Sequence, residues 1–277
     1  MNASTPRVSI CIPTYKGEWT LGAAIESVLA QTLTDFELVV IDDQSPDGTR
    51  DLVASYADAR IRYLRNDTNL GPEGNWNRCL LEARGTYFKL LPHDDVLHPA
   101  CLQRQVEAFS ADQEQGIALV FSAREVLDPE GQLLTRRGYP GGREGRLLAG
   151  EVIGACVRRG TNLLGEPGAV LMRKSLADRV GLFDATYPYV IDLDYWFRLL
   201  RHGDAYYCDE TLAGFRVSAT QWSVAIGSRQ SQDFRLFIAR VKAQGTLSAT
   251  ALDRGLGFFT PALNNVARLL FYRFYLR

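Results

Sequence analysis

Two hydrophobic periods alternate along the first hundred residues. Short, nearly unbroken apolar runs at 8–13, 36–41, 61–64 and 86–92 have the length and composition of buried strands. Between them, apolar residues recur at helical spacing. Leu21, Ala24, Ile25, Val28 and Leu29 share one face of a helix predicted over 19–31, with Thr20 as its N-cap. The turn residues S-P-D-G-T at 45–49 open a second helix through Tyr56. A loop at 66–74, rich in Asn, Gly and Pro, precedes a third helix over about 75–83. Strands alternating with helices predict βαβ units, right-handed crossovers and a mainly parallel sheet.

Past this point the alternation loosens. Helices are predicted over 99–111, 148–158 and 192–202, and strands over 117–122, 168–172, 205–208 and 211–217. Residues 128–146, rich in Gly, Arg and Pro, read as a loop or hairpin excursion. From about residue 227 the pattern is helical only. No internal repeat or low-complexity tract interrupts the chain. The expected organisation is one fused α/β domain over 1–225, followed by a helical extension over 226–277.

Composition narrows the class without deciding it. The 277 residues are 46% hydrophobic and 23% charged, with 31 Lys and Arg against 32 Asp and Glu. A formal net charge of -1 gives bulk nucleic-acid binding no electrostatic footing. Five cysteines lie far apart with no C-x-x-C, so buried free thiols are expected, as in a reducing cytoplasm. M-N-A-S-T-P-R contains no apolar stretch, so no signal peptide is expected, and no run reaches membrane-spanning length. The last residues, A-R-L-L-F-Y-R-F-Y-L-R, mix bulky apolar groups with Arg268, Arg273 and Arg277. They predict a helix that packs on the body or lies on a membrane surface, with packing the favoured reading.

The chemistry lies in three acidic positions. Asp42-Asp43 follows the second strand, Asp94-Asp95 follows the fourth, and Asp192 opens I-D-L-D-Y-W-F-R-L-L. Open α/β sheets bind ligands at the carboxyl ends of their strands, where both pairs fall. Each has a plain alternative: Asp and Ser cap helices and start turns, and acids favour a first helical turn. Asp194 stands four residues before Arg198, the spacing of an ordinary helix-surface pair. Taken together, the acids need a cation or a hydrogen-bond donor to offset them. Magnesium or manganese held by one or two carboxylates plus ligand phosphates would supply the cation. Neither G-x-G-x-x-G nor G-x-x-x-x-G-K-[ST] is present, which removes support for dinucleotide oxidoreductases and P-loop enzymes.

Four blocks in order resemble family 2 glycosyltransferases. They are V-S-I-C-I-P-T-Y-K-G-E with V-V-I-D-D-Q-S, N-L-G-P-E-G-N-W-N through P-H-D-D-V-L, L-F-D through I-D-L-D-Y-W-F-R, and L-A-G-F-R-V. They cover roughly residues 7 to 217. The resemblance implies a GT-A fold: a Rossmann-like, mainly parallel sheet flanked by helices, with the nucleotide-sugar part at about 1–122 and the acceptor side at about 123–225. It also implies a nucleotide-diphosphate sugar donor, a saccharide or lipid-linked saccharide acceptor in envelope or exopolysaccharide synthesis, Mn2+ or Mg2+, and inversion. Pro13, Thr14, Tyr15, Asp42, Asp43, Asn75 and Asp94 are then expected at the donor. Asp95 is the expected metal ligand, with Asp94 beside it, and Asp192 the expected base. The implied location is cytoplasmic, with peripheral contact at the inner membrane face through the C-terminal helices.

Two positions depart from the family pattern. Ile191 stands where a Glu is common, and Ser218 where a His often follows Y-R-V. Lys89, before the second acidic pair, reads as reaching a phosphate or sugar hydroxyl, or as an exposed strand position. Gly165 to Val170, Trp196 and Trp222 read as acceptor-side candidates. The rival functions are a sugar-phosphate nucleotidyltransferase, for which P-T-Y-K-G-E is the wrong first loop, a glycoside hydrolase, and a non-catalytic sugar-binding protein.

Overall fold

The computed structural model describes residues 5–218, 229–245 and 249–275, with side chains to residue 270; Trp222 lies outside the described residues. The first strands are β1 (Val8–Thr14), β2 (Phe36–Asp42), β3 (Ile61–Arg65) and β4 (Tyr87–Leu90). Helices α1 (Leu21–Leu29), α2 (Thr49–Ala54) and α3 (Gly71–Glu82) join them. The strands lie in the order β3-β2-β1-β4, all parallel, as right-handed βαβ chemistry predicts. β1 is central and buried along its length, which is why its run is apolar rather than alternating.

The sheet continues through β9 (Val170–Arg173), β6 (Ile117–Leu127), β10 (Asp204–Arg216) and the two-residue β5 (Val96–Leu97). β9 is antiparallel to both β4 and β6, whereas β6 and β10 are parallel. The predicted loop over 128–146 contains two short strands, β7 (Leu133–Arg137) on β6 and β8 (Gly145–Leu147) on β10. The two strands predicted over 205–217 are a single strand, β10, whose pairing with β6 slips between Cys208 and Ala213. That irregularity broke the apolar period without breaking the strand.

Helices cover both faces. Val40, Ile10 and Ile12 pack under Leu21 and Ile25 of α1 and Leu102 and Phe109 of α4 (Cys101–Ala111). The opposite face packs Val39, Ile41 and Phe88 against α3, α5 (Ala149–Arg159), α7 (Ile191–Leu199) and α8 (Gln230–Ala243). α6 (Lys174–Val180) follows β9. Thr20 makes no side-chain cap; Leu21 N–H donates instead to Gly17 O at 2.9 Å. α3 starts inside the predicted loop, because the Asp43 carboxylate accepts from the backbone N–H groups of Leu70 and Gly71, at 2.8 and 2.9 Å.

The last helix, α9 (Ala251–Tyr275), docks on α5; of the tail for which packing was favoured, Arg268 lies over Tyr189 and binds Gln230, while the Arg273 and Arg277 side chains lie outside the described residues. Gly257 sits so close to Val157 that a Cβ there would lie 2.3 Å from its carbonyl oxygen. Pro261 fits against Gly160, the left-handed C-cap of α5. Thr260 Oγ1 and Asn264 Nδ2 donate to the carbonyls of Arg158 and Arg159, groups that α5 cannot pair internally.

Candidate active site

The sheet registers bring the first acidic pair beside the β1 exit. Thr14 pairs with Asp42, and Asp42 with Arg65. Asp42 is fully buried and accepts from Ser45 N–H at 2.8 Å and Tyr63 Oη at 2.6 Å; Arg65 Nε stands 3.8 Å away. Burial, together with the Asp42 carboxylate, pushes the Tyr63 hydroxyl well above its ordinary range, so it stays a donor. Asp43 N–H donates to Thr14 O at 2.8 Å, while its carboxylate binds Asn66 Nδ2 and the start of α3. Asn75 lies one layer deeper. Its Nδ2 donates to Ile41 O and its Oδ1 accepts from Asn66, so it reaches Asp43 only through Asn66.

The β1 exit itself is partly open. Pro13 and Thr14 are buried and Tyr15 is 43% exposed. Lys16 and Gln44 both hold left-handed backbone, at φ 56 and 62, and Lys16 N–H donates to Ser45 Oγ. Non-glycine residues in this region store strain that surrounding contacts must hold. Thr14 Oγ1 is buried with no hydrogen-bond partner among the described residues, a group a ligand can satisfy.

The second acidic pair is set by β10. Its antiparallel pairing with β5 carries Arg216 to the turn after β4. There Arg216 N–H donates to Asp95 Oδ1 at 3.0 Å, and Arg216 Nε to Asp94 O at 3.0 Å. Asp95 is 2% exposed, and burial, reinforced by the Asp94 charge, pushes its carboxyl well above the usual range. Such a pair is electrostatically suited to a cation. Among the described residues no three His, Cys, Asp or Glu side chains form a self-sufficient metal cluster. That donor set suits a hard ion whose other ligands come from phosphate oxygens and water.

Asp192 stands at the start of α7. Its Oδ1 accepts from Leu193 N–H at 2.6 Å and its Oδ2 from Asn162 Nδ2 at 2.9 Å. Burial, with the nearby Glu166 charge, pushes its carboxyl up to about 7. Asp194 is turned elsewhere and binds Arg198 Nε at 2.8 Å, the pairing its spacing predicts. The loop at 162–169 joins the two acidic regions. Gly165 O accepts from Asn162 Nδ2 and Trp196 Nε1, and Gly168 lies against Asp95. Gly165 has φ +101 and presses on the Arg124 guanidinium, so a side chain is excluded on both counts.

Lys89 corrects both sequence expectations. It is neither exposed nor directed at a ligand: fully buried, its Nζ donates to Gly168 O at 2.8 Å and Val170 O at 3.1 Å. Trp196 is also fully buried, in the core behind the loop. Sequence reasoning missed Tyr63, Asn162, Glu166, Arg124 and Arg216. Arg216 lay within the L-A-G-F-R-V block and Glu166 within the flagged 165–170 segment. Tyr63, Asn162 and Arg124 carried no local signal, because only sheet register and loop closure bring them in.

Four ordered blocks now sit around one edge of a mixed sheet, and the family model described as glycosyl transferase family 2 matches residues 9–181. The chain belongs to this family. The uncharacterized glycosyltransferase RP339 of Rickettsia prowazekii is 30% identical over 79% of this chain and 67% of its own length. The E. coli enzyme UDP-Glc:alpha-D-GlcNAc-diphosphoundecaprenol beta-1,3-glucosyltransferase WfgD is 36% identical over 44% of this chain and 47% of its own. The structure of S. aureus TarS 1-349 in complex with UDP-GlcNAc superposes with a TM-score of 0.69 at 15% identity, covering 98% of this chain and 76% of that one. The architecture of this family 2 member is therefore GT-A, with the C-terminal helices added to it.

Proposed function

We propose that this glycosyltransferase moves a sugar from a nucleotide-diphosphate donor to a hydroxyl of a saccharide or lipid-linked saccharide acceptor, with inversion and metal dependence, in envelope or exopolysaccharide synthesis. The observation that carries the mechanism is the placement of Asp192 at the start of α7, held by Asn162 from the loop whose Gly168 lies against Asp95; burial raises its carboxyl to about 7. A base near the working pH abstracts a proton best. Asp192 takes the proton from the acceptor hydroxyl as that oxygen attacks the anomeric carbon. One displacement with no enzyme nucleophile inverts the centre.

The donor half follows from the strand exits. Pro13, Thr14 and Tyr15 line the nucleoside, and the unmet Thr14 hydroxyl supports a ligand there. Asp42 and Asp43 shape this wall, and Asn75 holds Asp43 through Asn66. Asp95, with Asp94, would hold Mn2+ or Mg2+, which offsets negative charge on the departing diphosphate. A nucleotide sugar is supported by the UDP-GlcNAc complex of TarS, and a lipid-diphosphate acceptor by the name of WfgD. ExoO of Rhizobium meliloti, 36% identical over 129 residues, is a succinoglycan biosynthesis protein.

A lipid-linked acceptor gives the outer face of α9 a role. Leu252, Leu256, Phe259, Leu263, Val266 and Leu270 recur at helical spacing and are all exposed. Beside it Arg235 lies over Phe258. An exposed apolar strip with a cation beside it suits an anionic membrane surface. No described helix is long and apolar enough to cross one. The test of the whole reading is a thermal-shift screen of nucleoside diphosphates with and without manganese, followed by transfer from the stabilising nucleotide's sugar. Stabilisation that requires manganese is expected; no nucleoside diphosphate binding in the folded protein overturns it.

A further inference from the structure

The end of β10 ties together segments that are far apart in sequence. Arg216 is in register with Leu127 at the end of β6, and Val217 N–H donates to Leu127 O at 2.9 Å. Gly214, opposite Val96, leaves room for both neighbouring strands: a Cβ there would stand 2.8 Å from Leu127 Cδ1 and 2.9 Å from Val96 Cγ2. From this position the Arg216 backbone N–H occupies Asp95 Oδ1. Its side chain reaches two backbone carbonyls, Asp94 O through Nε at 3.0 Å and Pro129 O through Nη1 at 2.7 Å. Pro129 belongs to the turn between β6 and β7. Asp128 closes that turn, its Oδ1 accepting from Gln132 N–H at 2.7 Å and its carbonyl from Gly131 N–H at 3.0 Å. One guanidinium therefore bridges the turn after β4 and the turn after β6.

Resting on the reading of Asp95 as the metal ligand, we propose that Arg216 is the positioning residue of that ligand. By pinning the Asp94 carbonyl to the β6–β7 turn, it fixes the peptide that carries Asp95 and presents one carboxylate oxygen, Oδ2, to the ion. Oδ1 is taken by the Arg216 N–H. Oδ2 accepts no hydrogen bond from the described residues and lies beside Gly168, where even a Cβ would stand 3.8 Å away. A carboxylate with one oxygen held by a backbone donor and the other open suits one-oxygen ligation of a hard ion, whose remaining ligands are phosphate and water. Groups that orient a metal ligand from behind carry about ten- to a hundredfold of affinity. The guanidinium acts on the ion in two ways of opposite sign. As a positive charge it repels a divalent cation; as a clamp it keeps the carboxylate in place. Removing the side chain separates the two, because loss of charge alone tightens metal binding and loss of the clamp weakens it.

The test needs neither acceptor nor turnover. Manganese binding to the whole chain is read from the free-ion electron paramagnetic resonance signal, with UDP at saturation. Asp95→Asn should abolish the UDP-dependent binding, which locates the ion. Arg216→Met should weaken it by about tenfold or more, and Arg216→Lys, which keeps the charge and can still reach one carbonyl, by less. UDP affinity without metal should stay at the parent value in both Arg216 variants, since the β1 and β2 exits are untouched; a general loss of structure would not spare it. Arg216→Gln takes the place of the Met variant if that one does not fold. Manganese affinity equal to or above the parent's in Arg216→Met, with Asp95→Asn still defective, overturns the inference and leaves the Asp95 assignment standing. Manganese binding that survives in Asp95→Asn overturns the Asp95 assignment, and the inference with it.

Discussion

At the residue scale, the proposed centre trades stability for reactivity. The Asp192 carboxyl is raised to about 7 in the folded chain against about 3.9 unfolded. A raised carboxyl contributes its full stability below the unfolded value and loses it as pH climbs to the folded one. Asp192→Asn does not titrate, so its melting temperature should exceed that of the parent increasingly from about pH 4 to pH 7, then stay level. The same variant should bind nucleoside diphosphate normally and lose transfer by about a hundredfold or more. A constant difference in melting temperature across that range would mean the carboxyl is not raised. Asp95→Ala should remove the manganese-dependent part of nucleotide affinity. Relief of a buried, raised carboxyl leaves its melting temperature at or above that of the parent near neutral pH, read by calorimetry with and without the ion.

Elements owe their positions to side chains far away in sequence. α3 begins where it does because Asp43 accepts the Leu70 and Gly71 N–H groups. Asp43→Ala orphans these donors and Asn66, so it should destabilise by about 2 kcal/mol or more in urea unfolding. It should also raise donor KM more than it lowers kcat at saturating donor, the pattern of uniform binding lost. Asp42→Ala should share the KM effect; unchanged KM in both would reduce the pair to turn chemistry. The turn before β9 depends on Lys89 in the same way. Lys89→Met fills the space but leaves the Gly168 and Val170 carbonyls without their donor. Transfer should fall roughly tenfold as the loop that holds Asp192 through Asn162 loosens, with nucleoside diphosphate affinity little changed, since the β1 and β2 exits are untouched.

Over the whole molecule, one sheet edge gathers the site while the last helix covers α5 and turns an apolar strip outward. Leu263 is 68% exposed on that strip. Leu263→Asp and Phe259→Ser should therefore keep the fold and nucleotide affinity but lose sedimentation with vesicles containing anionic lipid. Vesicle binding equal to the parent would assign the strip to another partner. Deletion of α9 is a poorer probe, because Gly257 and Pro261 are packed into α5 and its removal would uncover that helix.

The sequence by itself determined the parallel half of the fold, the family, and the chain positions of the acidic residues. β1, β2, β3 and β4 were legible because buried parallel strands read as continuous apolar runs between helical periods. Asp42-Asp43 and Asp94-Asp95 were legible because they end such runs. Only the tertiary structure decided how these groups are used. Asp43 became a helix cap through a long-range contact, and Lys89 became a buried support because antiparallel β9 closes over it. Arg216 met Asp95 through the β10–β5 register, and Asn162 joined Asp192 through the fold of one loop. Local periodicity records which way a residue faces its own element. Partners set by register and loop closure are separated by dozens of residues, and no local pattern encodes them.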